Sequence, residues 1–182
     1  MFPVIVEDVI PHWLFGSLQD DLKCMELLNR SNKGDPIFWG MSPTEAAGRN
    51  TLLMSMTYAK CCVQRLVPYH LIYAHTMING STANQPGGRF HVDVQPAYYG
   101  PDPSYMTAIL YTSPEWDTQW GGETVIKTPD GSYSYSTYIP NNLVIFPSTW
   151  EHYGASPNDS CPILRTSLGF GFEVCYNRPI ER

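Results

Sequence analysis

The sequence predicts a mainly β fold with supporting α-helices: a double-stranded β-helix, or cupin-like jelly roll, packed on N-terminal helices. Three observations predict it. Residues 1–68 place apolar side chains at helical spacing, whereas residues 69–176 alternate short β-prone runs with turn clusters. The chain holds 14 glycines and 16 prolines in 182 residues, a turn-rich composition unsuited to a bundle of long helices. It is 43% hydrophobic, enough for one buried core, with no repeat or low-complexity tract. A single domain over 1–182 is expected, with 1–68 as helical support and 69–176 as the core. Helices followed by a run of strands suit two β layers with helices outside.

In chain order, residues 4–9 suit a short strand. Trp13, Leu14, Leu18, Leu22, Met25 and Leu28 recur at helical spacing, so a helix is expected through Arg30, ended by the Asn32–Gly34 cluster. Pro43-Thr44-Glu45 opens a second candidate helix. From Arg49 to Val67 the apolar residues Leu52, Leu53, Met56, Ala59, Cys62, Val63 and Leu66 fit one helical face, stopped by Pro68. About eight strands then follow: residues 70–78, 89–94, 105–112, 123–128, 133–139, 143–147, 151–155 and 163–174. Between them lie turn-rich stretches, notably 79–88, 95–104, 113–122 and the hairpin signal Pro129-Asp130-Gly131-Ser132.

The charge balance excludes some classes. Net charge is −6, with 11 scattered basic residues, so nucleic acid is not an expected partner. Five cysteines form no CxxC and no framework spacing, which suits small buried hydrophobes in a reducing compartment. The opening MFPVIVEDVI lacks a basic stretch and its apolar run is broken by Glu7 and Asp8, so no signal peptide is expected. No apolar run approaches membrane-spanning length. A soluble, intracellular (cytoplasmic) protein is the expectation.

The chemistry lies in a few residues. In the run Phe90-His91-Val92-Asp93, a strand would point His91 and Asp93 to one face. An imidazole beside a carboxylate supplies two of the three ligands of a facial iron site. The other histidines are His12, His70, His75 and His152. His12 lies at a helix entry, and His70 and His75, five apart in one strand, are expected on opposite sides. His152 opens a late strand, which in a jelly roll returns beside an early one, making it the candidate third ligand. Arg165 follows in a largely apolar strand, where a buried unpaired guanidinium is expensive. Ser167 shares its face, and guanidinium plus hydroxyl form a clamp for a carboxylate.

The ordered set HxD, H, RxS resembles the Fe(II)/2-oxoglutarate-dependent oxygenases, in their prolyl-4-hydroxylase-like branch with its small phage and bacterial relatives. The resemblance runs from about Tyr69 to Glu173, through GGRFHVD, YMTAILYTSPEW, WGGETVI, PNNLVIFPSTWEHYGASP and LRTSLGFGFE. It implies that His91, Asp93 and His152 hold Fe(II), and that Arg165 pairs with the distal carboxylate of the cosubstrate 2-oxoglutarate. Ser167 would donate a second bond, Tyr111 would face the same carboxylate, and Asn79 would stand where relatives place another hydrogen-bonding tyrosine. The implied reaction consumes O2, with ascorbate as an accessory reductant, and hydroxylates a C–H bond while releasing succinate and CO2. The substrate would be a peptide or protein residue such as proline, or a small molecule. His152 and Arg165 stand farther apart than their counterparts in animal prolyl hydroxylases, and SPNDSCP between them predicts a surface loop.

Aromatic residues Tyr98, Tyr99, Trp116, Trp120 and Trp150 are candidates for the substrate mouth. Residues 32–50, with Phe38, Trp39 and Gly40, are a candidate lid. The competing class is a non-catalytic jelly-roll module, metal-binding or structural. A zinc or manganese cupin hydrolase or isomerase would favour more histidines and leave Arg165 without a purpose. Completeness of the four-residue set favours the enzyme.

Overall fold

The computed structural model describes residues 3–24, 28–29, 39–41, 49–83, 85, 87–94 and 104–180. The strands, in chain order, are β1 (Val4–Val6), β2 (Leu28–Asn29), β3 (Trp39–Met41), β4 (Tyr69–Ser81), β5 (Tyr105–Tyr111), β6 (Thr124–Lys127), β7 (Tyr133–Ser136), β8 (Leu143–Pro147), β9 (His152–Gly154) and β10 (Arg165–Pro179). The helices are α1 (His12–Lys23) and α2 (Asn50–Leu66). Seven strands form one sheet in the order β1-β8-β5-β10-β4-β3-β2, and β7-β6-β9 form a second. All pairings are antiparallel.

Period-2 alternation divides the large sheet into two faces. Met106, Ala108 and Leu110 of β5, Leu143 and Ile145 of β8, and Leu168, Phe170, Phe172 and Val174 of β10 turn outward. They bury against Leu14, Phe15 and Leu18 of α1 and Leu52, Ala59 and Val63 of α2. The opposite face looks into the space between the sheets. There Tyr111, Ile126, Tyr138, Val144 and Phe146 form a second, smaller core. The fold is thus two β layers with helices on the outside of the larger, as the run of strands after helices predicts.

Several elements depart from the sequence expectation. The first helix ends at Lys23, and Leu28–Asn29 pair instead with Gly40 and Trp39. That hairpin extends the β4 edge, with Gly40 opposite Asn79, so part of the expected 32–50 loop is an edge strand. The remaining loop residues with a structural description are 49 and 50, while Phe38, the Pro43-Thr44-Glu45 helix start, Tyr98 and Tyr99 lie outside the described residues. Residues 89–94 form no strand: a single bridge joins His91 to His152. The backbone there turns to Ser148, whose carbonyl accepts from the N–H groups of Asp93 and Val94. Asn79 lies within β4, which runs to Ser81, rather than in a loop. The hairpin at 129–132 forms as expected, with Gly131 at φ +84° and Asp130 accepting from Thr128 and Ser132.

Candidate metal and cosubstrate site

His91, Asp93 and His152 come together, with one ligand atom from each within 4.8 Å of the others. The Nε2 atoms of both histidines lie 3.7 Å from Oδ1 of Asp93. Each imidazole is oriented the same way: Nδ1 of His91 lies 2.9 Å from the Arg89 carbonyl, and Nδ1 of His152 lies 3.1 Å from the Trp150 carbonyl. A carbonyl only accepts, so each Nδ1 carries a proton, and in the neutral ring each Nε2 then presents a lone pair to the cluster centre. Burial holds the His152 pKa below its ordinary value, Asp93 opposes this, and the neighbouring His91 adds to it.

The carboxylate is equally constrained. Thr107 donates to Oδ2 of Asp93 at 2.5 Å, and the Thr107 hydroxyl lies 2.8 Å from the Ser148 hydroxyl. Oδ1 remains for a metal. Two neutral imidazoles and one carboxylate oxygen, with hydrogen-bonded outer partners, suit a ferrous ion that keeps open positions. The His91 side chain is 54% exposed while those of His152 and Asp93 are 5% and 8% exposed, so the cluster opens to solvent on the His91 side.

Arg165 is 5% exposed and no carboxylate pairs with it among the described residues. Its Nε donates to the Gly122 carbonyl at 2.7 Å, and its guanidinium lies 4.9 Å from the Tyr138 ring centre and 5.8 Å from that of Tyr111. Gly122, at φ +79°, leaves no room for a side chain: a Cβ there would stand 2.8 Å from Trp116 and 3.2 Å from Cδ of Arg165. A Cβ on Gly154 would lie 3.5 Å from both terminal guanidinium nitrogens. Gly154 and His152 share a face of β9 and are about 7 Å apart by strand geometry.

Both groups line one cavity of about 480 Å³ between the sheets. Ser167, 2% exposed, and Asn79 line it too, as register partners on adjacent strands. Tyr111 is not among the lining residues. Its hydroxyl donates to Thr124 Oγ1 at 2.8 Å and approaches the Ser136 carbonyl at 3.2 Å, and Thr124 is the group that faces the cavity. Burial raises the pKa of Tyr111, which keeps that hydroxyl protonated. Trp116 and Trp150 pack against the inner core, and neither they nor Trp120 line the cavity, contrary to the mouth expected from sequence.

Sequence reasoning passed over Thr107 and Ser148 as supports for Asp93, and Thr124 as the polar group beside Arg165. Thr107 was detectable as the residue sharing a strand face with Tyr111. Ser148 carried no local signal. His75 lines the cavity, whereas His70 does not.

No protein-family model matches the chain, and no curated protein matches it in sequence. Solved structures do match. A prolyl-4-hydroxylase from Pseudomonas putida aligns at TM-score 0.68 and 16% identity, covering 95% of this chain and 92% of that one. HygX from Streptomyces hygroscopicus, with nickel and 2-oxoglutarate bound, aligns at TM-score 0.71 and 12% identity, covering 96% and 83%. A prolyl hydroxylase from Trichoplax adhaerens, in complex with a hypoxia inducible factor peptide fragment, aligns at TM-score 0.69 and 13% identity, covering 94% and 83%. The fold is the double-stranded β-helix that these proteins share. No described helix is long and apolar enough to cross a membrane.

Proposed function

We propose that this chain is an Fe(II)- and 2-oxoglutarate-dependent dioxygenase. It hydroxylates a C–H bond of a peptide or protein residue of proline type, or of a small metabolite, and releases succinate and CO2. The carrying observation is that a His-Asp-His cluster and a buried arginine with no carboxylate partner among the described residues face the same cavity. A buried cation of this kind calls for an anionic ligand. The fold supports the reading, since HygX holds nickel and 2-oxoglutarate on it.

Ferrous iron with bound 2-oxoglutarate supplies the reduction of O2, with decarboxylation of the cosubstrate and transfer of one oxygen atom to the substrate. Ascorbate enters only as an accessory reductant. The chain supplies the rest. His91, Asp93 and His152 would hold the metal, each presenting one atom fixed by an outer hydrogen bond. Arg165 would take the distal carboxylate, with Ser167 offering a hydroxyl from the same strand face. Tyr111 would act through Thr124, whose hydroxyl it orients, and Asn79 adds an amide across from Ser167. The buried ring of Tyr138 and the bond to Gly122 hold the guanidinium in place, so little reorientation is needed on binding. Five free cysteines suit a reducing, intracellular setting.

The test is succinate release from 2-oxoglutarate by purified protein with Fe(II), alone and with a panel of prolyl peptides and free amino acids. Release requiring both Fe(II) and 2-oxoglutarate, with one panel member gaining an oxygen atom in mass, is expected. No release from folded, metal-loaded protein would refute the reading.

A further inference from the structure

The cavity has an end that neither the metal cluster nor Arg165 uses. His75 of β4 lines it there, with its ring over Gly171 of β10, whose register partners are His75 itself and Thr107 on β5. Thr107 holds Asp93, so His75 stands at the level of the metal cluster, two strands and about 10 Å of backbone away. Its ring closes much of that gap. A Cβ on Gly171 would fall 2.3 Å from Cε1, 2.5 Å from Nδ1 and 2.9 Å from Nε2 of His75. The imidazole therefore lies across β10 in the space that any side chain at position 171 would fill.

A second device puts His75 there. The register pairs His75 with Gly171 but Tyr73 with Phe172, which makes Ala74 an extra residue in β4. This bulge switches the strand's parity. Leu71 and Thr76, five apart, both bury on the helix side, while His75 turns into the cavity. It also puts His70 and His75 on the same side of the sheet, where a regular strand would have separated them. Met77, which follows His75 on the same face of β4, and Ile109 are the apolar side chains of the cavity wall on this sheet. Among the described residues neither ring nitrogen makes a hydrogen bond.

We propose that His75 positions the primary substrate by hydrogen-bonding a neutral polar group of it, an amide or a hydroxyl, beside the metal. The proposal rests on the dioxygenase reading above and names a polar substrate for it. A neutral imidazole offers one donor and one acceptor, which complements a group that both accepts and donates. The surrounding wall is apolar and the cavity's buried cation, Arg165, sits toward the cosubstrate end, so a carboxylate is the poorer match.

The test uses full-length protein loaded with Zn(II) and 2-oxoglutarate, and follows histidine ring resonances by NMR. The probes are N-methylacetamide, 2-propanol and, as the anionic contrast, acetate. The His75 ring signal, assigned by its loss in His75→Phe, should shift saturably with the amide, the alcohol or both, while that of His70 stays still. In His75→Phe the probe's dissociation constant, followed on neighbouring methyl signals, should rise about fivefold or more, and His75→Gln should restore part of it. Gly171→Ala should give the same loss with His75 retained, because its Cβ displaces the ring. No His75 response to either neutral probe, an equal response to acetate, or full binding by His75→Phe would overturn the proposal. Loss of 2-oxoglutarate binding by the parent protein would instead indict the dioxygenase reading, and is measured separately by calorimetry.

Discussion

His91 and His152 exchange both of their backbone hydrogen bonds, His91 N–H to the His152 carbonyl at 3.0 Å and His152 N–H to the His91 carbonyl at 2.9 Å. This closed pair replaces an extended strand as the means of joining two distant segments, and it brings the ring centres to 4.4 Å. Asp93 is then anchored separately, through its own N–H to Ser148 and its Oδ2 to Thr107. Three ligands are thereby fixed by local bonds that do not depend on a metal being present. Substitution of any one by Ala is expected to weaken Co(II) binding by more than about 100-fold with the fold retained, as read by calorimetry and circular dichroism. His12→Ala and His70→Ala should leave Co(II) affinity unchanged.

Thr107→Val removes the donor to Asp93 and leaves the Ser148 hydroxyl without that partner. The expected loss is about 10- to 100-fold in metal affinity and about 1–3 kcal/mol of stability. Denaturant unfolding alongside metal titration separates the two. An unchanged metal affinity would show that Asp93 is held without Thr107.

Arg165→Met keeps much of the side chain's length and removes the charge. In the parent protein with Zn(II), 2-oxoglutarate at about 100 times its Kd should stabilise by about 2.7 kcal/mol, visible as a rise in Tm. The variant should show no such rise at the same concentration. A full rise in Arg165→Met would remove Arg165 from the cosubstrate site.

Gly122→Ala and Gly131→Ala make a matched pair. Both glycines have positive φ, +79° and +84°, but Gly131 has nothing within 4 Å of its Cβ position whereas Gly122 faces Trp116 and Arg165. Gly131→Ala should cost only about 1 kcal/mol of backbone strain and leave 2-oxoglutarate affinity alone. Gly122→Ala should cost more and also lower that affinity, because it pushes the guanidinium. Equal effects on affinity would mean that Gly122 serves the turn only.

Tyr111→Phe tests whether the tyrosine works through Thr124. Removing its hydroxyl deprives Thr124 of its donor and the Ser136 carbonyl of its polar neighbour, with an expected loss of about 1 kcal/mol in stability. The effect on 2-oxoglutarate affinity should be smaller than that of Arg165→Met. A loss as large would indicate direct contact with the cosubstrate.

The two-layer fold was legible in the sequence because short β-prone runs separated by turn clusters follow a helical first third, and α2 keeps its apolar stripe from Leu52 to Val63. The four polar residues of the site stood out because each breaks an otherwise apolar or turn-rich pattern. The supports did not. Thr107 and Ser148 are ordinary strand and turn residues until the fold sets them beside Asp93. His75 was misplaced for a definite reason: period-2 reasoning assumes a regular strand, and one extra residue at Ala74 inverts every side chain beyond it. The expected strand at 89–94 failed because His91 needs only its reciprocal pair with His152, after which the chain must turn to deliver Asp93 to Thr107. The first helix is shorter than its spacing predicts because Leu28 fits the helical spacing yet pairs with Gly40 at the sheet edge.

The most direct measurement is an anaerobic titration of 2-oxoglutarate into the Fe(II)-loaded protein, followed by visible absorption. A saturable metal-to-cosubstrate charge-transfer band is expected, absent in His152→Ala and requiring far more 2-oxoglutarate in Arg165→Met. A folded, iron-loaded protein that develops no such band, or a band indifferent to both substitutions, would contradict it.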